Sequence, residues 1–318
     1  MIGAGRGQRG LWIAGTCLGP PYGPPLLGWA EDGMSRRTGL AVLALGGALA
    51  AFVAYPPDRP SAAAQPGPQW ADADDVDVEL ILAVDVSYSM DPDEQALQRE
   101  GYVAALTSPE FLTALKAGIH ARIAVTYFEW ANANDQKILL PWRLIDGLPS
   151  AQAVAAEITR APYRRAYRTS IAGALLFGAR LFESSGHRGI RRVIDVSGDG
   201  TNNEGPLIVP TREAVVANGI TVNGLPIMLK NPQPGSVDIE DLDIYYEDCV
   251  IGGPGAFVVP IKEREKFKDA VRTKLVLEVA GRVPPARIVP AAAQAPRISC
   301  TIGERMWQQR WGSGLDMR

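Results

Sequence analysis

Histidine is nearly missing from this chain: 318 residues hold two, His120 and His187. No Gly-x-Ser-x-Gly elbow is present, so a serine hydrolase would lack its turn and have few choices of base. Both histidines read as structural or surface residues, His120 near a strand start and His187 in a glycine-flanked loop. A phosphate loop of the Gly-x4-Gly-Lys-Ser/Thr type is also lacking. Charge of one sign is scarce too. The 32 Lys and Arg nearly balance 35 Asp and Glu, and the net charge of −3 gives no case for nucleic-acid binding. Basic residues are dispersed, and the run Lys262-Glu-Arg-Glu-Lys-Phe-Lys268 mixes signs like a solvated helix face. Cysteine occurs three times, never as Cys-x-x-Cys and never beside residues suited to zinc.

What is present is an ordinary globular composition, 47% hydrophobic and 21% charged, enough for a sizeable core. The length allows one large domain with appendages or two small ones. Residues 1–77 do not read as fold. Gly and Pro dominate up to Gly33, without a sustained period of 2 or 3.6. Met34-Ser-Arg-Arg-Thr38, an apolar stretch over 39–55 and the Ala-rich segment ending near Ala64 follow the order of a secretory signal peptide. Translation is expected to start at Met34, setting 1–33 apart as an extension, with 34–64 the signal peptide and 65–77 a linker. The competing reading is an uncleaved signal anchor, since the apolar run is about the minimum that spans a bilayer. A periplasmic or secreted location is expected, with membrane attachment only if the segment is retained. In an exported chain, Cys249 and Cys300 suggest one disulfide; two unpaired thiols are the alternative.

From Val78 the pattern becomes regular. The nearly continuous apolar run over 78–84 reads as a strand buried on both faces. Asp91-Pro-Asp-Glu94 is a helix start with cap, N-terminal proline and capping-box acid, leading a helix to about 107 and a shorter one over 110–117. Strands are expected over 122–130 and 136–142, joined by a hairpin loop at 131–135, with Pro141 marking a sheet edge. A helix follows from Ser150 to about 160, and Ser170 opens another with Ile171, Leu175, Gly178 and Phe182 along one face. Further strands fall at 192–196, 220–227 and 256–261, with helices over 211–218 and 262–279 and a loop over 230–245. Beyond Gly281 a Pro- and Ala-rich strap leads to an end, with Trp307 and Trp311, that either docks or stays mobile. The alternation predicts an α/β fold: a Rossmann-like, doubly wound, mainly parallel six-stranded sheet with one antiparallel edge strand and helices on both faces, over 78–281, followed by a tail over 282–318.

Five oxygen-bearing residues stand where strands or loops hand over to helices: Asp85, Ser87 and Ser89 in an Asp-x-Ser-x-Ser run, Thr169, and Asp199. Two carboxylates and three hydroxyls suit a hard divalent cation, most plausibly Mg²⁺, with Mn²⁺ or Ca²⁺ as alternatives. Taken singly, Ser and Asp after a strand are common turn residues and Thr169 a helix cap; together they mark the crevice where open α/β sheets bind ligands. This pattern resembles the metal-ion-dependent adhesion site of von Willebrand factor type A domains, whose motif is Asp-x-Ser-x-Ser, a distant Thr and a later Asp. All five positions match. The resemblance implies a sheet with a metal at its top, Ser87, Ser89 and Thr169 as direct ligands, and Asp85 and Asp199 acting through water. It also implies a partner protein that offers an Asp or Glu side chain. More narrowly, the chain resembles an uncharacterised family of exported bacterial proteins built on this domain. Tyr88 departs from the small residue common at its position and is expected on the rim; Asn202 and Asn203 are further rim candidates, with a turn role the plainer account.

The expected function is therefore a metal-dependent protein-binding module of the bacterial envelope, not an enzyme. Alternatives are a metal-dependent phosphatase-like hydrolase and a structural domain stabilised by its metal. Gly198-Asp-Gly-Thr-Asn-Asn203 with Asp85 resembles pieces of a haloacid-dehalogenase phosphatase, but that chemistry needs a second acid where this chain has Ser87. The same segment resembles thiamine-diphosphate sites, which separate these elements by an insert missing here.

Overall fold

The strand read from the apolar run is longer than the run itself: β1 spans Asp74–Asp85 in the computed structural model. The structure describes residues 74–232, 237–281 and 295–312. The expected extension, the export segment and the linker up to residue 73 lie outside the described residues. Among the described residues, no helix is long and apolar enough to cross a membrane.

β1 is followed by α1 (Pro92–Leu106) and α2 (Pro109–Lys116), then the hairpin of β2 (Ile123–Trp130) and β3 (Gln136–Ile145). Next come α3 (Leu148–Arg160), α4 (Ile171–Leu181), β4 (His187–Gly198), α5 (Ile208–Ala217) and β5 (Ile220–Pro226). A short α6 (Leu242–Tyr245), α7 (Phe267–Ala280) and α8 (Ile302–Trp311) complete the described chain. The sheet runs β3-β2-β1-β4-β5, with the β2–β3 pair antiparallel and the rest parallel.

Five strands replace the six expected, and proline explains the difference. The segment foreseen as the last strand does lie beside β5: Val259 N donates to Gly224 O (3.0 Å), Ile261 N to Pro226 O (2.9 Å) and Met228 N to Ile261 O (2.7 Å). Pro226 has no N–H to return, so the ladder breaks at its middle and survives as isolated bridges at Val258 and Ile261.

Alternation along β1 divides the core into two layers. Val78, Leu80, Leu82 and Val84 pack with Leu106, Phe111, Val154 and Val271 from α1, α2, α3 and α7. Ile81 and Ala83 pack on the other face with Leu175 and Val215 from α4 and α5, and with Tyr245. Leu80, Ile81 and Leu82 are fully buried, each contributing about 1.5–3 kcal/mol. α1 begins as its sequence dictates: Glu94 N donates to Asp91 Oδ1 (2.8 Å) and Asp91 N to Glu94 Oε2 (2.9 Å). Gly101 lets α1 approach α7, since a Cβ there would lie 3.1 Å from Val271 Cγ2.

The chain leaves β1 toward β2 on one side and returns to β4 on the other. That makes the carboxyl ends of β1 and β4 the topological switch point, where open α/β sheets carry their ligand crevice.

Candidate metal centre

Asp85 is the last residue of β1, and Asp199 follows the last residue of β4. Val84 pairs with Ser197 across the two parallel strands, so both carboxylates emerge from neighbouring strand ends. Asp85 and Ser87 are buried and Ser89 is half-buried. The Ser87 amide donates to Asp85 Oδ1 (2.7 Å), closing an Asx turn that aims both serines inward, with Ser87 Oγ and Ser89 Oγ 2.7 Å apart.

Thr169 reaches the same place from the other side. Ser170 caps α4, its Oγ accepting from Gly173 N (3.2 Å), and Thr169 is the residue before it. Asn203 clamps Thr169 from both directions: Thr169 N donates to Asn203 Oδ1 (3.0 Å) and Asn203 N to Thr169 O (2.9 Å). Arg168 is held at a φ of 75°, a left-handed conformation that costs a non-glycine residue about 1–2 kcal/mol. Strain of this kind survives only where surrounding contacts over-determine it.

Glycines on either side of Asp199 let the loops close. A Cβ at Gly198 would lie 2.7 Å from Asp85 Oδ2, and one at Gly200 would lie 3.7 Å from Thr169 Oγ1 and 3.9 Å from Ser89 Oγ. Asp85, Ser89 and Thr169 thus gather around the Gly198-Asp199-Gly200 turn, with Ser87 hydrogen-bonded to Ser89.

The electrostatics of that cluster are unsatisfied. Asp85 Oδ2 and Asp199 Oδ1 are buried and lack a hydrogen-bond partner among the described residues. Burial, reinforced by the Asp199 charge, drives the Asp85 carboxyl well above its ordinary range. Burial likewise pushes Asp199 up to about 6, against the opposing pull of Lys230. Two dehydrated carboxylates beside three neutral hydroxyls form a donor set that a hard divalent cation would satisfy. Among the described residues no group of three His, Cys, Asp or Glu side chains forms a metal cluster, so any cation here would depend on hydroxyls.

Several neighbours were not evident in the sequence. Lys230 Nζ lies 3.2 Å from Asp199 Oδ2 and also contacts Glu94 Oε2 and Ser89 O. It belongs to the segment after β5, which the parallel topology brings to the same sheet edge. A cavity of about 430 Å³ opens beside it, lined by Glu94, Asp199, Met228, Ile239 and Lys262. The Tyr163-Arg-Arg-Ala-Tyr-Arg168 run leads into Thr169, and its density of Arg and Tyr was the signal available.

The rim expectations divide. Tyr88 is exposed (47%). Asn202 is fully buried and is not a rim residue: its Oδ1 accepts from Ala172 N (3.0 Å) and its Nδ2 donates to Pro206 O (3.0 Å) and Glu304 Oε1 (2.8 Å). It pins the loop after β4 to α4 and α8. Asn203 is half-buried and serves as the Thr169 clamp. The tail docks through α8, where Gly303 packs so closely that a Cβ would meet Asn202 O at 2.1 Å. Cys249 and Cys300 form a disulfide with Cα atoms 5.5 Å apart, holding the chain before α8 to the domain.

No curated protein matches this sequence significantly. Among solved structures, proximal thread matrix protein 1 from the mussel byssus aligns at 15% identity and a TM-score of 0.48, over 65% of this chain and 49% of that one. A von Willebrand factor type A protein from Catenulispora acidiphila aligns at 15% identity and a TM-score of 0.43, covering 65% and 43%. The conserved hypothetical protein BatB from Bacteroides thetaiotaomicron aligns at 19% and 0.41, covering 64% and 99%. This chain thus spans about half the length of the mussel protein. The sheet order, the single antiparallel edge and the place of the Asp-x-Ser-x-Ser turn at the switch point make the fold von Willebrand A-like. The family model described as Protein of unknown function (DUF1194) matches residues 75–283, and the chain belongs to that family.

Proposed function

We propose that this chain is a protein-binding module of the bacterial envelope that holds an acidic side chain of its partner through a divalent cation, most plausibly Mg²⁺. One observation carries the reading. Three separate loops bring Asp85, Ser87, Ser89, Thr169 and Asp199 close together, and two of the buried carboxylate oxygens have no hydrogen-bond partner among the described residues. In this reading Ser87, Ser89 and Thr169 ligate the ion, while Asp85 and Asp199 set the field and orient its waters. The cation would supply a Lewis-acidic position for a carboxylate from outside. The chain's own residues hold the Ser87 and Ser89 hydroxyls side by side, limit bulk water through the burial of Asp85, Ser87 and Thr169, and keep the loops fixed through the Asn203 clamp and the Gly198 approach. Neutral hydroxyls leave such an ion electron-poor, which favours an anionic ligand.

A phosphatase reading lacks its second acid at Ser87, and the two histidines stand before β2 (His120) and at the start of β4 (His187), at the opposite strand ends from Asp85 and Asp199. These features support binding over turnover as the reading of the site.

Isothermal calorimetry with Mg²⁺ and Mn²⁺ tests the metal, comparing wild type with Asp85→Ala. Binding should be lost in the variant while its far-UV spectrum stays that of the wild type; equal affinity in both would refute the assignment. An EDTA-reversible pull-down from the envelope fraction, with the same variant as control, tests the partner. A metal that raises the melting temperature while no partner elutes with EDTA would make the site purely structural.

A further inference from the structure

Alternation along the chain forces the residues between inward-facing hydroxyls outward. Tyr88 stands between Ser87 and Ser89, and Arg168 precedes Thr169. Their loops are stitched together beside the site, where Ala166 pairs with Ser87 and Ala166 N donates to Val86 O (3.1 Å). Tyr167, one residue beyond that bridge, stacks on Tyr88 with ring centroids 4.2 Å apart and planes 22° from parallel. Both rings remain open to solvent, Tyr88 at 47% and Tyr167 at 70%. The Arg165 guanidinium lies 4.7 Å from the Tyr88 ring centroid and donates to Tyr88 O (2.6 Å). The Arg168 guanidinium lies 3.5 Å from the centroid of Trp307.

Charge separates these arginines from their neighbours. Arg99 and Arg164 pair with Glu129, and Arg164 also with Asp135. Arg165 and Arg168 have no carboxylate within ion-pair distance among the described residues; Glu204 acts on Arg168 only from farther away. A divalent ion held by Asp85 and Asp199 would leave that pair of carboxylates neutralised and the two guanidiniums uncompensated. A single partner carboxylate on the metal would not balance them. Tyrosine and arginine are also the residues most enriched at the centres of protein interfaces. The near-neutral, slightly acidic chain and the pairing of the adjacent arginines disfavour a polyphosphate.

We infer that Tyr88, Tyr167, Arg165 and Arg168 form a docking platform for an acidic segment of a protein partner, one carboxylate going to the metal and a neighbouring carboxylate to the two arginines. This deepens the proposed function and rests on it for the metal-bound carboxylate. The tyrosine pair offers flat amphipathic area to the partner's backbone between the two acids. Arg165 is already fixed by its ring contact and backbone hydrogen bond and has little ordering to lose; its Nε is buried, so its Nη atoms are the donors offered to the partner.

The probe is a phage-displayed library of random dodecapeptides, selected on the immobilised full chain in Mg²⁺. Variants are Arg165→Ala with Arg168→Ala, and separately Tyr167→Ala, both confined to exposed or half-exposed side chains. Wild type should enrich peptides with two nearby acidic residues, and the double arginine variant should bind the best of them on the order of 10–100-fold more weakly at unchanged Mg²⁺ affinity. Tyr167→Ala should weaken the same peptides without changing their preference for two acids. Peptides released by EDTA yet indifferent to the arginine substitutions would overturn the platform and leave the metal reading standing. Peptides that ignore EDTA but need both arginines would support the platform and sink the metal reading. Enrichment of single-acid or non-acidic peptides, or of none, would overturn the platform, as would specific capture of acidic glycans in place of peptides.

Discussion

Lys274 on α7 is fully buried between two carboxylates that are also fully buried, Asp195 on β4 and Glu278 one turn along α7. Its Nζ lies 2.7 Å from Asp195 Oδ1 and contacts Glu278 Oε1, while Asn223 Nδ2 donates to Glu278 Oε1 (3.2 Å). Replacing Lys274 by Met keeps the apolar volume and removes the only cation within ion-pair reach of both acids among the described residues. Breaking a buried pair from one side costs about 3–5 kcal/mol, because the remaining charge loses its compensation. A domain of this size is stable by about 5–15 kcal/mol, so the loss is a large share of the total.

The pH dependence gives the sharper test. Burial, reinforced by Asp195, raises the Glu278 carboxyl from 4.5 to about 7. A carboxyl whose folded value is raised binds its proton more tightly in the native state. Its contribution is fully present below about 4.5 and is lost as pH climbs through about 7. A shift of that size corresponds to at most ~3 kcal/mol. Removing the lysine takes away the attraction that opposes this rise. The cost of Lys274→Met should therefore be about 3–5 kcal/mol at pH 8 and fall below about 2 kcal/mol at pH 5, where both acids can protonate. Urea unfolding followed by tryptophan fluorescence at the two pH values measures this. The triple variant Lys274→Met, Glu278→Gln, Asp195→Asn should regain most of the loss at pH 8. An equal cost at pH 5 and pH 8, or a triple variant no better than the single one, would refute the reasoning.

Three further outcomes follow from the site and its brace. Gly198→Ala places a Cβ 2.7 Å from Asp85 Oδ2, so calorimetry should find Mg²⁺ affinity reduced at least tenfold while the fold persists; unchanged affinity would mean Asp85 is not held where the metal needs it. Lys230→Met removes a positive charge 3.2 Å from Asp199 Oδ2 and should tighten Mg²⁺ about tenfold, equivalent to ~1.4 kcal/mol. Weaker binding would make Lys230 a supporting residue and not a competitor. Cys249→Ser with Cys300→Ser opens a link spanning 51 residues, for which chain entropy gives about 4 kcal/mol as an upper value. Urea unfolding should show a loss approaching that size, and no loss would mean α8 docks without its tether.

The sheet was readable because β1 advertises itself. An apolar run as long as 78–84 has no place but a strand covered on both faces, and Asp91-Pro-Asp-Glu94 closes the capping box its spelling promises. What the pattern misjudged depended on partners distant in sequence. The acidic start of β1, where Val76 is the one apolar residue among Asp74, Asp75 and Asp77, pairs with β4 from His187 and carries little apolar signal of its own. The sixth strand failed at Pro226, a residue of its neighbour and not of itself.

The candidate ligands were legible for a related reason: each follows a strand or precedes a helix, and topology alone brings such positions together. Asn202 shows where that logic stops. It follows Asp199 by three residues, yet a polar residue that near a candidate ligand can turn inward as readily as outward. Only the open backbone groups of α4 and the carboxylate of Glu304, 102 residues away, decide its direction. Lys230 is the opposite case, invisible because nothing near it in sequence carries a motif. Its ammonium stands against Asp199 in part of the field that a divalent ion would occupy. A site built from two acids, three neutral hydroxyls and an internal cation should hold its metal less tightly than one without that cation. Binding of the metal should therefore be strengthened by the partner carboxylate, which would make the ion and the acidic partner mutually dependent ligands.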